Sequence, residues 1–250
     1  MAVWHPWRAR GFTRDFWILS LGWFIAALGF AISIPFLAIY FSSELGLTKS
    51  EIGLFFVGIA VIRAISQAVG GEMSDRLGRY GLVLHSQSAR SVSFVLLGMA
   101  IGFKWGFWPV AILFGTNAVF GSLFMPAVNA LVSDMLPPEQ RLHGYAIARS
   151  ASNLGWAVGP AIGGFMATTS YASLFYISAI LSVGSLVVFW LYFTPPPVIV
   201  NQDRFKYTDL LAVKDDKFLA THAVLTLVLY LVVAQAQQYK ICQTSLNPYF

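Results

Sequence analysis

Charge is what this sequence lacks most. Only 11% of its 250 residues are Asp, Glu, Lys or Arg, whereas a water-soluble domain usually carries about 25%. Hydrophobic residues make up 57% of the chain, and the mean hydropathy is +0.68. A water-soluble core of this size cannot hide so much apolar surface. The composition therefore excludes an ordinary soluble domain and predicts a protein that is solvated by lipid.

Cysteine is nearly absent as well. Cys242 stands alone, which excludes an intrachain disulfide framework and a cysteine-rich metal site. The sequence also shows no metal-ligand cluster, nucleophile elbow or phosphate loop, so we expect neither a membrane enzyme nor a cofactor. The net charge of +5 is divided among separate short segments. Nucleic acid is therefore not an expected partner.

Long apolar runs are what the sequence has instead. A membrane-spanning helix needs about 20 mainly apolar residues. Spans are predicted near 16–41, 51–71, 82–103, 109–133, 143–168, 172–194 and 218–239. This pattern predicts an all-α polytopic membrane protein, with the lipid bilayer as its surroundings.

Lys and Arg are unevenly divided between the two sides that these spans define. By the positive-inside rule, the richer side is cytoplasmic, which predicts a cytoplasmic N-terminus; we expect a bacterial inner (plasma) membrane. That side holds Arg8, Arg10, Arg14, Arg76, Arg79, Arg141, Arg204, Lys206, Lys214 and Lys217, and the other holds Lys49, Lys104 and Lys240. Arg63, Arg90 and Arg149 fall inside spans, where a charge is costly and tends to face protein or a water-filled cavity.

A polar segment that opens with three prolines, 195–197, follows the sixth span, and such a run stops a helix. The predicted organisation is a six-helix bundle over 1–194, a cytoplasmic linker over 195–217, and the first helix of an incomplete C-terminal bundle over 218–250. Twelve helices would need well over 250 residues. We therefore expect a truncated chain or a fragment.

Several residues recur at a spacing of 91. The pairs are Pro35 and Pro126, Ser42 and Ser133, Leu45 and Leu136, and Gly53 and Gly144. They superpose the corner between spans one and two on the corner between spans four and five. The spacing favours a repeat of three plus three helices, with coincidence as the alternative.

The segment 71–80, which reads GEMSDRLGRY, lies in a very short turn between the second and third spans. Its glycines permit a tight turn. Asp75 can accept backbone N–H groups or pair with an arginine, and Arg76 and Arg79 can reach acidic groups on neighbouring helix ends. The alternative is a turn whose arginines merely follow the positive-inside rule.

This pattern, Gly-x-x-x-Asp-Arg-x-Gly-Arg, resembles the signature loop of the major facilitator superfamily, with Tyr80 at a position that is usually basic. The resemblance implies a gating loop that latches the cytoplasmic side of the outward-facing state, with an acidic partner at the end of helix four. The residues it implicates are Gly71, Asp75, Arg76, Gly78, Arg79 and Asp134.

Small residues recur at every fourth position of the fifth span and form a ridge that permits close helix packing. Pro160 should bend this helix. The segment 155–164 is similar to the superfamily's "antiporter" motif, which is common among proton-coupled exporters of drugs and metabolites; generic packing is the alternative. Its motif residues are Gly155, Gly159, Pro160, Gly163 and Gly164.

Polar side chains inside the spans are candidates for lining a substrate cavity, with interhelical hydrogen bonding as the alternative. They are Arg63, Asn117, Asn129, Arg149, Asn153 and Gln237. Many proton-coupled members of the family carry an arginine near the place of Asn117, and no Asp or Glu lies mid-span. The sequence therefore weakens the case for H+ as the coupling ion, although H+ stays a candidate.

We expect a secondary active transporter that works by alternating access and exports small amphipathic molecules or drugs. Its predicted partners are a small-molecule substrate and a missing C-terminal helical bundle. The alternative is a non-transporting half-transporter, sensor or scaffold.

Overall fold

The computed structural model describes residues 11–196 and residue 221, apart from the side chains of residues 75–77. Residues 11–196 form six α-helices and no strand. The helices are α1 Arg14–Ser43, α2 Lys49–Leu77, α3 Arg79–Gly102, α4 Phe107–Met135, α5 Pro138–Ala167 and α6 Tyr171–Tyr192. The predicted all-α class and the first six predicted helices are confirmed. The largest difference is in α2, which continues to Leu77 rather than ending near residue 71.

The chain divides into two compact units, residues 1–201 and 202–250. All six helices belong to the first unit. Of the second unit, only Thr221 is among the described residues, and it is helical. The predicted seventh span and Gln237 therefore lie outside the described residues, as does the predicted linker beyond residue 196.

Two of the helix starts are fixed by threonine caps. The Thr13 hydroxyl accepts from the Phe16 N–H at 3.3 Å at the start of α1. At the start of α2, the Thr48 hydroxyl accepts from the Glu51 N–H at 3.3 Å, and the Glu51 carboxylate accepts from the Thr48 N–H at 2.8 Å. This reciprocal pair is a capping box, which satisfies two backbone donors at once. In α5, by contrast, Pro138 stands in the first turn, where its missing N–H costs nothing.

The helices pack in a pattern that a two-fold rotation preserves. Helix α1 packs mainly against α5 and α6, helix α4 packs mainly against α2 and α3, and α3 packs against α6. Exchanging α1 with α4, α2 with α5 and α3 with α6 leaves these pairs unchanged. The bundle therefore consists of two three-helix repeats, as predicted.

The glycines that face α1 and α4 give the register of the repeat. Gly163 of α5 faces Ile32 of α1, and Gly70 of α2 faces Leu123 of α4. Ile32 and Leu123 are 91 residues apart, which is the predicted spacing, but Gly70 and Gly163 are 93 apart. The spacing thus holds between α1 and α4 and shifts by two residues between α2 and α5.

The shift shows at the two glycines that the spacing of 91 paired. A Cβ atom at Gly53 would meet nothing within 4 Å, whereas Gly144 packs tightly against Leu136. The two glycines share a spacing in the sequence but not an environment in the bundle.

Four of the helices are long and apolar enough to cross a membrane: α1, α2 over Lys49–Ser74, α4 and α6. Helices α3 and α5, with 24 and 30 residues, are also long enough but carry more polar side chains. Helix α3 packs on α4 and α6, and α5 packs mainly on α1.

Candidate functional site

The predicted gating loop is a turn of one residue. Helix α2 ends at Leu77, α3 begins at Arg79, and Gly78 between them has a φ of +83°, a conformation that favours glycine. The Gly78 carbonyl accepts from the Leu82 N–H at 3.0 Å, so this residue also makes a backbone hydrogen bond to the first turn of α3. Because one residue links them, α2 and α3 can move little relative to each other at this end.

Arg79 and Asp134 form an ion pair between the start of α3 and the end of α4. The Arg79 guanidinium also donates to the Ala130 carbonyl at 3.2 Å. The two charged side chains are about one quarter exposed, at 27% and 25%. Of the six residues predicted for gating, the structure brings these two together. Gly71 lies within α2 beside open space, and the side chains of Asp75 and Arg76 are outside the described part.

Tyr80 connects the same end of α3 to α6. Its hydroxyl donates to the Phe189 carbonyl at 3.1 Å, and its ring stacks on Phe193 with the centroids 5.6 Å apart. The departure from a basic residue at this position therefore has a structural role of its own. Together with the Arg79–Asp134 pair, it ties the start of α3 to the ends of α4 and α6.

The glycine ridge of α5 lies against the backbone of α1. A Cβ atom at Gly155 would lie 2.8 Å from the Phe24 carbonyl oxygen, and one at Gly159 would lie 2.5 Å from the Ala31 Cβ. Such distances leave no room for any side chain, so these glycines permit the close approach. Gly163 likewise faces α1.

The other two motif residues differ from this ridge. A Cβ at Gly164 would make an ordinary contact at 3.9 Å with the Phe36 ring, and Pro160 is half-buried within α5. Close packing on α1 therefore requires glycine at Gly155, Gly159 and Gly163, which are spaced four residues apart.

A cluster of aromatic rings and arginines surrounds Phe30, near the middle of α1. The Cζ atoms of Arg63 and Arg90 lie 5.0 Å and 5.2 Å from the centroid of its ring. The rings of Trp156 and Phe94 lie 5.4 Å and 6.5 Å from it, centroid to centroid. Helices α1, α2, α3 and α5 each contribute to this cluster, which we call the Phe30 cluster.

Arg90 is the buried charge of the Phe30 cluster. It is only 5% exposed, and its guanidinium donates to the Gln87 side-chain oxygen at 3.3 Å. Its Nε is buried without a hydrogen-bond partner in the described structure. The Arg90 backbone carbonyl accepts from the Asn117 amide at 3.3 Å, while the Asn117 Oδ1 is buried and also has no partner there.

The six predicted cavity residues fall into different places. Arg63 is half-buried in the Phe30 cluster, and Asn117 is fully buried between α3 and α4. Asn129 is half-buried on α4, and Arg149 and Asn153 are exposed on α5. These two lie seven and three residues before Trp156, so they continue its helix face. Gln237 lies outside the described residues.

The sequence patterns missed three members of the Phe30 cluster as site residues. Phe30, Phe94 and Trp156 are ordinary members of an aromatic-rich membrane sequence, and no spacing distinguishes them. Arg90 was recognisable as a charge inside a span but was not among the predicted cavity residues. The cost of burying a charge was the signal that could have placed it there.

The chain is a multi-pass helical membrane protein of two three-helix repeats. The family model of the Major Facilitator Superfamily matches residues 19–246. Quinolone resistance protein NorA of Staphylococcus aureus (strain MRSA252) is 29% identical over 228 residues, covering 86% of this chain and 55% of NorA. The uncharacterized MFS-type transporter YqjV of Bacillus subtilis (strain 168) is 30% identical over 165 residues, covering 66% of this chain and 39% of YqjV.

The fold has a solved counterpart. A crystal structure of the peptide transporter POT superposes with a TM-score of 0.67 and 19% identity, covering 90% of this chain and 47% of that one. The chain thus spans about half the length of the proteins it matches. The family match covers most of the chain, so the chain belongs to the Major Facilitator Superfamily.

Proposed function

We propose that this chain is the N-terminal six-helix half of a secondary active transporter that exports small amphipathic molecules by alternating access. The observation that carries the proposal is the match to NorA, a quinolone resistance protein, along 86% of this chain. Export is a direct way for a membrane protein to confer resistance to a drug. The proposed organisation is the predicted one: a bundle over 1–194, a cytoplasmic linker over 195–217, and the start of a second bundle over 218–250.

Alternating access needs two rigid bundles that rock against each other around a central site. The glycine ridge of α5 supports rigidity in this half, since it holds α5 directly on the α1 backbone. The symmetric packing of the two repeats supports it as well. We therefore propose that residues 14–192 move as one body.

The one-residue turn at Gly78 supports a gating role for its surroundings. In this proposal, the Arg79–Asp134 pair fixes the end of the bundle that carries the turn at Gly78. The N-terminus and this turn would then be cytoplasmic, as the distribution of Lys and Arg predicts. The latch consists of Gly71, Asp75, Arg76, Gly78, Arg79 and Asp134.

The coupling ion in this proposal is H+, carried by a carboxylate outside the described helices. Within residues 11–196, every Asp and Glu lies within two turns of a helix end. None is therefore placed to carry a proton through the middle of these six helices. The second bundle has to supply that group.

Dye export from reconstituted vesicles tests the proposal. The whole transporter, meaning this chain together with a second six-helix bundle, and the 250-residue chain alone are placed in separate liposomes with an amphipathic fluorescent dye. We expect a proton gradient to drive dye movement only when the second bundle is present. Movement by the chain alone would contradict the half-transporter proposal, and movement that persists with a sodium gradient alone would contradict proton coupling. A whole transporter that moves no dye under either gradient would favour the sensor or scaffold alternative.

A further inference from the structure

The Phe30 cluster places two positive charges in the middle of the bundle. Arg63 is 14 residues from each end of α2, and Arg90 is 11 residues into α3. At 1.5 Å per residue, these positions are about 21 Å and about 16 Å from the nearest helix end. Since both guanidinium carbons lie near one ring, they are at most about 10 Å apart. Charges at this depth are rare and usually mark a binding site or an ion path.

The described structure leaves Arg90 incompletely satisfied. A buried guanidinium has five N–H donors and needs acceptors for them. Arg90 has the neutral Gln87 side chain and two aromatic rings, and its Nε has no partner. A buried charge without a counter-charge is strongly unfavourable. An anion that reaches the Nε would remove this cost.

Gly121 of α4 lies directly beside that nitrogen. A Cβ atom at Gly121 would lie 3.4 Å from the Arg90 Nε, which is an ordinary contact, and the glycine is itself partly exposed. The Nε is buried, so an anion reaches it when the Arg90 side chain moves toward the space that the missing side chain leaves. A methyl group at residue 121 would fit there and would occupy that space.

The same cluster offers an apolar surface beside the charges. Trp156 is 43% exposed and touches Phe30 edge to face, with the centroids 5.4 Å apart. An aromatic ring can stack on this surface while an acidic group beside it meets the guanidinium groups. The chemistry therefore suits one molecule that carries both groups.

We propose that Arg63 and Arg90 bind the carboxylate of an aromatic amphipathic substrate, with Phe30 and Trp156 against its ring. The inference rests on the proposed transport function and narrows its substrate class to molecules with a negatively charged group. Arg90 binds the anion through its Nε, which lies beside Gly121. Arg63 adds the second positive charge from α2.

Direct binding to the purified 250-residue chain in a neutral detergent tests the proposal. The probes are pyrenebutyrate, which is an aromatic carboxylate, and its uncharged amide, pyrenebutyramide. Binding is followed by tryptophan fluorescence quenching, with empty micelles subtracted. We expect the wild-type chain to bind the carboxylate at least tenfold more tightly than the amide.

Four variants test which residues produce the preference for the carboxylate. Arg90→Gln and Arg63→Gln remove one charge each, and Gly121→Ala places a methyl group against the Nε without removing a charge. Arg14→Gln is the matched control, because Arg14 is exposed at the start of α1. We expect carboxylate affinity to fall about tenfold or more in Arg90→Gln, since hydrogen bonds to charged groups are the strong ones. Smaller losses are expected in Arg63→Gln and Gly121→Ala, no change in Arg14→Gln, and unchanged amide binding in all four.

Equal affinity for the carboxylate and the amide in the wild-type chain would overturn the proposal, and so would full carboxylate affinity in Arg90→Gln. Gly121→Ala keeps the test open if Arg90→Gln does not fold. The proposed transport function and the proposed anion site can be contradicted separately. A whole transporter that exports an uncharged dye, while the chain shows no preference for the carboxylate, keeps the transport function and removes the anion site.

Discussion

The seam between α1 and α5 and the seam between α4 and α2 are equivalent in the repeat, yet they are built differently. Three glycines of α5 bring it onto the α1 backbone, whereas α2 meets α4 closely through one glycine, Gly70. Helix α2 is also less covered than α1: 11% of its most apolar stretch is buried, against 56% for α1. The repeat therefore preserves the topology but not the packing. The first seam has the features of a fixed joint, and the second has fewer close backbone contacts.

The two helices also place their charged side chains differently. Arg63 lies at the middle of α2, and α2 ends at the one-residue turn before Arg79. On the other side of the comparison, α5 uses its glycines for packing and keeps Arg149 and Asn153 on a separate, exposed face. Close packing and polar side chains thus share α5, whereas α2 is mainly apolar and carries Arg63 at its middle.

The largest expected effect comes from filling the fixed joint. Gly159→Leu places a large side chain where even a Cβ would lie 2.5 Å from Ala31, so we expect the variant not to accumulate as a folded protein. Gly58→Leu is the matched control, because a Cβ at Gly58 meets nothing within 4 Å. Size-exclusion chromatography of a fluorescent fusion measures both. A monodisperse Gly159→Leu protein would show that the seam is not closely packed.

Alanine substitutions at Gly159 and Gly70 compare how closely the two seams are packed. In Gly159→Ala we expect a loss of about 1–3 kcal/mol from overpacking. Gly70→Ala should lose less, because its Cβ would lie 3.0 Å from Pro126 Cγ, where the ring can shift slightly. Gly58→Ala should be neutral or stabilising by up to about 1 kcal/mol, because alanine favours the helix. Thermal unfolding of the three variants gives the order, and equal losses at residues 159 and 70 would mean that the two seams do not differ.

The two helix starts offer a smaller test of the same comparison. Thr48→Ala breaks the capping box of α2 and should cost about 1 kcal/mol, because the Glu51 N–H loses its acceptor. Helix α5 has no side-chain cap to lose, so Glu139→Gln in its first turn serves as the control. Amide hydrogen exchange in the first turn of each helix reports the effect. Unchanged protection at the start of α2 in Thr48→Ala would show that packing alone holds this end.

The smallest effect on stability is expected at the ion pair. Arg79 and Asp134 are partly exposed, so replacing either by a neutral residue should change the free energy of unfolding by less than about 1 kcal/mol. Arg141→Gln is a charge-matched control at the start of α5. Chemical unfolding in detergent measures the change. A loss of several kcal/mol would assign the pair to the fold and not to gating.

The sequence predicted the helices well because apolar runs of membrane length are a strong signal. It also predicted the symmetric repeat from Pro35 and Pro126, which stand in equivalent helices. What it could not predict was the register of α2 and α5, because the connections before them differ and the residues that face a neighbour depend on helix rotation. The two-residue shift at Gly70 and Gly163 follows from that rotation.

The candidate site was predictable only in part. The tight turn and the pairing of a loop arginine with Asp134 followed from the family resemblance, and the structure identifies that arginine as Arg79. The Phe30 cluster is assembled from four helices, and no spacing within one helix reveals it. Asn117 shows the same limit, because a polar residue in a span can face a cavity or another helix with equal ease, and here it bonds the Arg90 carbonyl.

The most direct test of the account is proton-driven dye export by the whole transporter with the charges of the ion pair exchanged. The account predicts that Arg79→Asp and Asp134→Arg each lose most of the export rate while retaining near wild-type stability. It predicts that the double exchange recovers a substantial part of that rate, because the attraction between α3 and α4 is restored. Unchanged export in both single variants would contradict the claim that this pair controls the switching of an exporter.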